Sequence, residues 1–323
     1  MFLLRLFMSI DERIEAECGH DTSPCPALPA RDERGHKGTF GTVLVIGGCA
    51  KLPRVMLGGP VIAARAALRT GCGLAELAVP EPLAASALVA LESATAHALP
   101  VDSHGALLPC ECAELLDPIL NRVQSVVLGP ALGDGFAIDQ IVVRMLSHVR
   151  GPLIIDADGL NALSRLTDFP RDIRDASVIL TPHPGEYQRL AESLDLDPTA
   201  ATDEARRGAA AAALAGRIGC VVVLKGARTV VSDGVHQWSA RAGNAALATG
   251  GTGDALAGII GSIAAQFTRP PHCMSLFDCA RFGVAIHGLA ARSWSARLGE
   301  AGLLATELCD EIPSVLDDLR TNG

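Results

Sequence analysis

Aromatic residues make up only 3% of this 323-residue chain, and charged residues only 20%. The first scarcity argues against an aromatic-rich binding surface, since stacking platforms need rings to build them. Positive charge is also short: 27 Lys and Arg against 36 Asp and Glu give a net charge of −9, with no basic run anywhere. That excludes the electrostatic footprint of a nucleic-acid or anionic-membrane binder, so a phosphate-bearing ligand has to be held locally. None of the ten cysteines forms a C-x-x-C pair, and the only close pair is Cys110 and Cys112, which argues against a zinc site. Cys49, Cys72, Cys220 and Cys279 fall in apolar or Gly-rich stretches where a thiol acts as a small hydrophobe, which favours a reducing cytoplasm. No apolar run approaches the ~20 residues of a membrane span. The opening MFLLRLFMSI is broken at Arg5 and lacks a small-residue cleavage pattern; it reads as an amphipathic turn or as an extension ahead of a second start at Met8. Neither a G-x-G-x-x-G fingerprint nor a G-x-x-x-x-G-K-[ST] phosphate loop is present.

What remains is 49% hydrophobic residues and 33 glycines, enough for a large core of closely packed Ala, Val and Leu layers joined by tight turns. After a lead-in, residues 1–30 read as a loosely packed extension and residues 31–323 as a single domain with no linker to divide it. Short β-branched or Leu-rich runs at Thr42–Ile46, Ala75–Val79, Ser125–Leu128, Pro152–Asp156, Ser177–Thr181 and Val221–Lys225 predict buried strands. Pro60–Thr70, Glu111–Asn121, Ala137–His148, Glu186–Leu194 and Asp203–Ile218 carry helical spacing between them. This alternation predicts an α/β fold with a mostly parallel sheet. Thr229–Ser232 and Gln237–Ala240 flank Asp233-Gly234 as an edge hairpin, and helices Asp254–Gln266, Phe277–Ser295 and Thr306–Leu319 close the chain.

Ligands of such sheets lie beyond the carboxyl ends of the strands, which directs attention to four loops. Asn244-Ala-Ala-Leu-Ala-Thr-Gly-Gly-Thr-Gly-Asp254 runs straight into a helix, so the amides of Gly250 to Gly253 and the helix dipole offer an anion cradle. Asp254 is either an N-cap or a base for a hydroxyl attacking phosphorus. In Leu180-Thr-Pro-His-Pro-Gly-Glu186 two prolines restrain His183, which either contacts a ligand or is satisfied by a backbone carbonyl. Lys225 and Arg228 place positive charge after another strand, as ligand contacts or as ordinary solvated cations. Asp156, Asp158 and Asn161 follow a fourth strand and either cap a short helix or meet ribose hydroxyls or hydrated Mg²⁺. Leu128-Gly-Pro-Ala-Leu-Gly133 and Val45-Ile-Gly-Gly48 are further Gly-rich turns after strands.

His36-Lys-Gly-Thr-Phe-Gly-Thr-Val-Leu-Val-Ile-Gly-Gly48, Ala66-Ala-Leu-Arg-Thr-Gly-Cys-Gly73, Thr181-Pro-His-Pro-Gly-Glu186, Lys225-Gly-Ala-Arg-Thr229 and Gly250-Gly-Thr-Gly-Asp254 together resemble the ADP- or ATP-dependent NAD(P)H-hydrate dehydratases, in order from about Arg31 to Leu319. The resemblance implies a ribokinase-like three-layer α/β/α fold and a repair reaction. The nucleotide phosphorylates the 6-hydroxyl of the S form of NADH or NADPH hydrate, and phosphate leaves as the ring double bond reforms, with Mg²⁺ accompanying the nucleotide. It implies Asp254 as catalytic base, and Gly59, Ala131, Asp156, Asn161 and His183 beside it as substrate contacts. Lys225, Gly226, Ala227, Arg228 and Thr229, with Asn244, Gly251, Thr252 and Gly253, are implied as nucleotide contacts. Gly59 stands where the family usually has Ala, and Ala131 where it usually has the second Gly of Gly-Pro-Gly-Leu-Gly. The resemblance further implies a homo-oligomer, with a tetramer as the form considered, and an epimerase supplied as a separate chain. Two alternatives fit the same residues: a ribokinase-like kinase of a small alcohol such as a vitamin precursor, and a non-catalytic nucleotide-binding sensor.

Overall fold

The computed structural model describes residues 27–166, 169, 177–240 and 244–321. Nine strands form one sheet: β1 (Thr42–Ile46), β2 (Leu74–Pro80), β3 (Thr95–Leu99), β4 (Ser125–Leu128), β5 (Leu153–Ile155), β6 (Val178–Leu180), β7 (Val221–Leu224), β8 (Val230–Ser232) and β9 (Gln237–Ser239). Their order is β3-β2-β1-β4-β5-β6-β7-β8-β9. Every pair from β3 to β7 is parallel, and β7-β8 and β8-β9 are antiparallel. Six parallel strands and the edge hairpin lie where the apolar runs place them. The sequence reading omits β3, whose Thr-Ala-His-Ala-Leu is a half-exposed edge strand rather than a buried apolar run.

The helices are α1 (Gly58–Thr70), α2 (Ala84–Ala90), α3 (Pro109–Leu120), α4 (Phe136–His148), α5 (Asp158–Leu163), α6 (Pro184–Ser193), α7 (Arg207–Ile218), α8 (Thr252–Phe267), α9 (Leu276–Leu298) and α10 (Ala305–Thr321). Alternate residues of the strands feed two separate cores. Val43, Val45, Val127, Ile154 and Ile179 pack with α1, α8, α9 and α10, while Leu44, Ile46, Val126, Leu128 and Ile155 pack with α3 to α7. Period-two alternation with both faces apolar is what a sheet covered on both sides requires, and it produces the expected three-layer α/β/α arrangement. Helix α7 begins at Arg207 rather than Asp203. Asp203 instead accepts the Ala205 amide and binds the Arg206 guanidinium, closing a turn before the helix. Leu28, within the lead-in, is buried in the first core; residues 1–26 lie outside the described residues.

Helices α1 and α8 set the site. A Cβ on Gly258 would fall 2.0 Å from the Ala63 carbonyl oxygen, so only glycine lets the two backbones approach there. One turn earlier on both helices, a Cβ on Gly59 would lie 3.1 Å from Asp254 Oδ1. The two helices therefore run in parallel register and bring their starts together.

Candidate active site

The chain leaves β1 toward β2 on one side and returns to β4 on the other, so the crevice between β1 and β4 is the topological switch point, where sheets of this kind bind ligands. Gly47-Gly48 follows β1 and Gly129-Pro130-Ala131 follows β4, and the Gly48 amide donates to the Pro130 carbonyl at 3.0 Å. Gly59 completes this floor. A Cβ added there would stand 3.2 Å from both the Ala131 and Pro130 Cβ atoms. Ala131 itself adopts φ +54°, the left-handed region that disfavours a side chain.

Asp254 is the third residue of α8, whose N-cap is Gly251 at φ +92°, so the N-cap reading is set aside. Its carboxylate accepts no hydrogen bond among the described residues. Burial, reinforced by the charges of Asp156 and Asp158 and opposed by Lys225, pushes its pKa up to about 7. A carboxyl balanced between its two forms near neutrality can take up a proton and give it back.

Lys225, at the end of β7, is an interior ion rather than a solvated one. Its side chain is 18% exposed and its Nζ lies 2.6 Å from Asp156 Oδ1 and 3.7 Å from Glu186 Oε2. Burial works against its charge, but Asp156 and Glu186 outweigh that and hold its pKa above the usual lysine value. Burial pushes the Glu186 carboxyl upward, against the pull of Lys225. A Cβ on Gly253 would lie 3.4 Å from the same Nζ, which places this ammonium against the start of α8. One cation thus joins the Gly-rich loop to the carboxylates of β5 and α6.

His183 is the N-cap of α6. Its Nδ1 accepts from the amides of Gly185 and Glu186, and Glu186 Oε2 accepts the His183 amide in return. This reciprocal capping fixes Nδ1 as an acceptor, so the neutral ring carries its proton on Nε2, 3.4 Å from Glu186 Oε1. Burial, with Lys225 and Arg189, lowers its pKa and keeps it neutral. The backbone does satisfy this histidine, but through one nitrogen only. Asp158 starts α5 and accepts the Gly133 amide, and Asn161 is held by Asp158 and by Arg189.

The implied nucleotide contacts fall into two groups. Gly226, Ala227 and Arg228 form an exposed rim after Lys225, with half-buried Thr229 at its end and Arg228 62% exposed and 3.6 Å from Glu204. In the second group the side chains are engaged within the loop itself. Asn244 accepts the Ala246 amide and bonds Ser295, and the Thr252 hydroxyl donates to the carbonyls of Leu247 and Thr249. Those bonds leave the backbone of residues 250–253 as the face presented to an anion.

This constellation can be set beside known proteins. A family model described as NAD(P)H-hydrate dehydratase matches residues 43–314. The chain belongs to that family. It is 36% identical over 285 residues to the ADP-dependent (S)-NAD(P)H-hydrate dehydratase of Neisseria meningitidis serogroup B, covering 86% of each chain. It is also similar in structure to the ADP/ATP-dependent NAD(P)H-hydrate dehydratase of Bacillus subtilis co-crystallized with ATP and Mg²⁺, at TM-score 0.71 and 30% identity over 91% of this chain and 95% of that one. A ribokinase-like superfamily protein of Enterococcus faecalis shares the fold at TM-score 0.72 and 23% identity, covering 97% of this chain and 95% of that one. The chain spans about half the length of the bifunctional NAD(P)H-hydrate repair enzymes it also matches.

Two organising residues of this dehydratase-family chain carry no signal in the sequence. Buried Arg207 donates from Nη2 to the carbonyls of Leu224 and Lys225 and from Nη1 to that of Ala201, fixing the turn that becomes the exposed rim. His287, on α9, donates from Nε2 to the Thr252 carbonyl at 2.9 Å, and burial lowers its pKa to about 4. A neutral histidine therefore backs the start of α8. Neither lies in a loop after a strand, which is where sequence reasoning searches.

Proposed function

We propose that this protein dehydrates the S form of NADH or NADPH hydrate at the expense of ADP or ATP. The observation that carries the reading is the buried Asp254 carboxyl, unbonded among the described residues, at the first turn of α8 and against Gly59, which in turn faces Ala131; burial pushes its pKa up to about 7. The hydrate ring sits at the switch point with its 6-hydroxyl toward Asp254. The terminal phosphoryl group lies over the backbone amides of residues 250–253. Asp254 takes the hydroxyl proton as that oxygen attacks phosphorus, and the nucleotide departs as AMP or ADP. The C6–O bond then breaks, phosphate leaves with its electron pair, a proton is lost from C5 and the ring double bond reforms. Oriented amides and the ammonium of Lys225 stabilise the charge that builds on the phosphoryl oxygens.

Mg²⁺ would enter with the nucleotide and neutralise phosphate charge. The donor set bears on where it sits. Asp156 and Glu186 are already paired with Lys225, and among the described residues no three His, Cys, Asp or Glu gather as a metal cage. With those two carboxylates engaged, the nucleotide phosphates would supply most of its ligands. No described helix is long and apolar enough to cross a membrane. The proposed homo-oligomer rests on family resemblance, and the cytoplasmic location on cysteines that are unbridged among the described residues.

The test is the near-ultraviolet absorbance of reduced nicotinamide when protein, NADH hydrate, Mg²⁺ and either ADP or ATP are mixed. A nucleotide-dependent rise is expected and identifies the donor. Folded protein giving no rise with either nucleotide overturns the reading in favour of a small-alcohol kinase.

A further inference from the structure

The start of α8 receives one hydrogen bond that helix formation does not call for. His287, buried on α9, donates from Nε2 to the carbonyl oxygen of Thr252 at 2.9 Å. Thr252 is the first residue of α8. At the beginning of a helix the groups without a partner are the amides, whereas the first carbonyls already accept from the next turn. A donor aimed at the Thr252 carbonyl therefore caps nothing. The loop is also held without it, by the Thr252 hydroxyl on the carbonyls of Leu247 and Thr249 and by the Ala255 amide on that of Gly251. Burying an imidazole is unfavourable, and helix capping gives nothing here to offset it.

What the bond does fix is a direction. The Thr252 carbonyl and the Gly253 amide belong to one planar peptide and point opposite ways, so holding the oxygen aims the N–H. A carbonyl only accepts, so the bond also selects the neutral tautomer with its proton on Nε2. Burial, with the charge of Lys225, keeps the ring neutral. Lys225 reaches the same peptide, since a Cβ on Gly253 would lie 3.4 Å from its Nζ. A bond accepted at the carbonyl further polarises the peptide and strengthens its N–H as a donor, by roughly 10–30%.

We propose that His287 is a positioning residue for phosphoryl transfer: through the Thr252–Gly253 peptide it aims the Gly253 amide at the phosphoryl oxygens on which charge builds. It acts through the backbone and not by contact. The proposal rests on the dehydratase reading and adds to it what orients the backbone donors of the cradle.

The experiment compares three variants with the unaltered protein. His287→Gln places an N–H where Nε2 stood, His287→Asn keeps a polar amide too short to reach the carbonyl, and His287→Met fills the space without a donor. The Met and Asn variants should lose about 10- to 100-fold in kcat on NADH hydrate, somewhat less than removal of a whole oxyanion donor, with smaller changes in KM. The Gln variant should stay close to the unaltered kcat. Folded Met and Asn variants with unchanged kcat, or a Gln variant as slow as they are, overturn the proposal, because a merely structural histidine shifts Tm and leaves kcat alone.

A second measurement needs no turnover. Thr-Gly pairs occur only at 70–71, 249–250 and 252–253, so labelling the Thr carbonyl carbon and the Gly nitrogen isolates the Thr252–Gly253 peptide by NMR. ADP or ATP with Mg²⁺ should move the Gly253 amide in the unaltered protein and in the Gln variant, and move it less in the other two. An amide indifferent to both nucleotides in the unaltered protein, or moved equally in every folded variant, overturns the proposal. If the unaltered protein turns over no hydrate with either nucleotide, the dehydratase reading fails and this spectrum alone decides the role of His287.

Discussion

Lys225 and Arg228 stand three residues apart on the loop after β7, yet they occupy opposite physical regimes. Arg228 extends into solvent beside an exposed Glu204; Lys225 is enclosed by Asp156, Glu186 and the start of α8. Exposed pairs of the first kind contribute about 0–1 kcal/mol, because water already satisfies both charges. In the interior each charge depends on the others, and removing one strands the rest. The rim is thus replaceable and the centre is not. The same contrast explains why Asp254 has a raised pKa beside a lysine: the ammonium bonds Asp156, leaving Asp254 to face burial and two neighbouring carboxylates.

The largest expected effect lies at the centre and is chemical. Asp254→Ala should lower turnover by about 10²–10⁴-fold, the range for loss of a general base, with the fold retained by circular dichroism. An unchanged turnover number would remove Asp254 from the chemistry. Its pKa of about 7 sets the pH profile as well: kcat/KM should climb as pH rises through 7, since the base must be ionised. Stability runs the other way. A carboxyl raised from 3.8 in the unfolded chain to about 7 in the folded one stabilises below the lower value and loses that contribution as pH rises through the higher. Asp254→Asn should therefore raise Tm at pH 8 and have little effect near pH 4.

Next in size is the contrast between the two cations. Lys225→Met leaves Asp156 and Glu186 buried without a counter-ion and should destabilise the fold by about 3–5 kcal/mol, read by denaturant unfolding at neutral pH. Arg228→Ala should stay within about 0.5 kcal/mol. Equal costs at the two positions would erase the distinction between interior and rim. Where a Lys225 variant still folds, its nucleotide KM should rise more than its kcat falls, because the ammonium lies against the phosphate cradle in the ground state as well.

Legibility of the sequence follows the same division. Strands β1, β4 and β7 announce themselves because both of their faces are buried, and an unbroken Val and Leu run has few other uses. Edge strand β3 does not, because half-exposed Thr95, Ala96 and His97 carry no such run; the register of β3 on β2 and the His97 bond to Glu76 emerge only in three dimensions. The Gly-rich start of α8 and Asp254 are readable because a local backbone shape requires those residue types in a row. The partner of Lys225 is not readable, since Asp156 lies 69 residues away and an ion pair has no spacing rule. His287 and Arg207 are invisible for a related reason: each acts by donating to a backbone carbonyl, which every residue possesses.

The smallest effect concerns the floor, where two departures from the family pattern meet in one contact. With Ala131 present, a methyl on residue 59 would stand 3.2 Å from the Ala131 methyl and 3.1 Å from Asp254 Oδ1, tighter than ordinary packing allows. Ala at 59 with Gly at 131, the pattern the family resemblance implies, and this chain's Gly at 59 with Ala at 131 differ by one methyl group moved across the crevice. Gly59→Ala alone should cost about 1 kcal/mol through overpacking. Ala131→Gly alone should be nearly neutral, because relief of φ +54° is offset by the greater freedom of glycine in the unfolded chain. In the double variant only the share of the Gly59→Ala cost that comes from the Ala131 methyl should vanish, because Pro130 Cβ and Asp254 Oδ1 still stand 3.2 and 3.1 Å away, giving a coupling of about 0.5 kcal/mol in a thermal-unfolding cycle. Effects that simply add would mean that the two methyls never compete, and that each departure from the family pattern arose independently of the other.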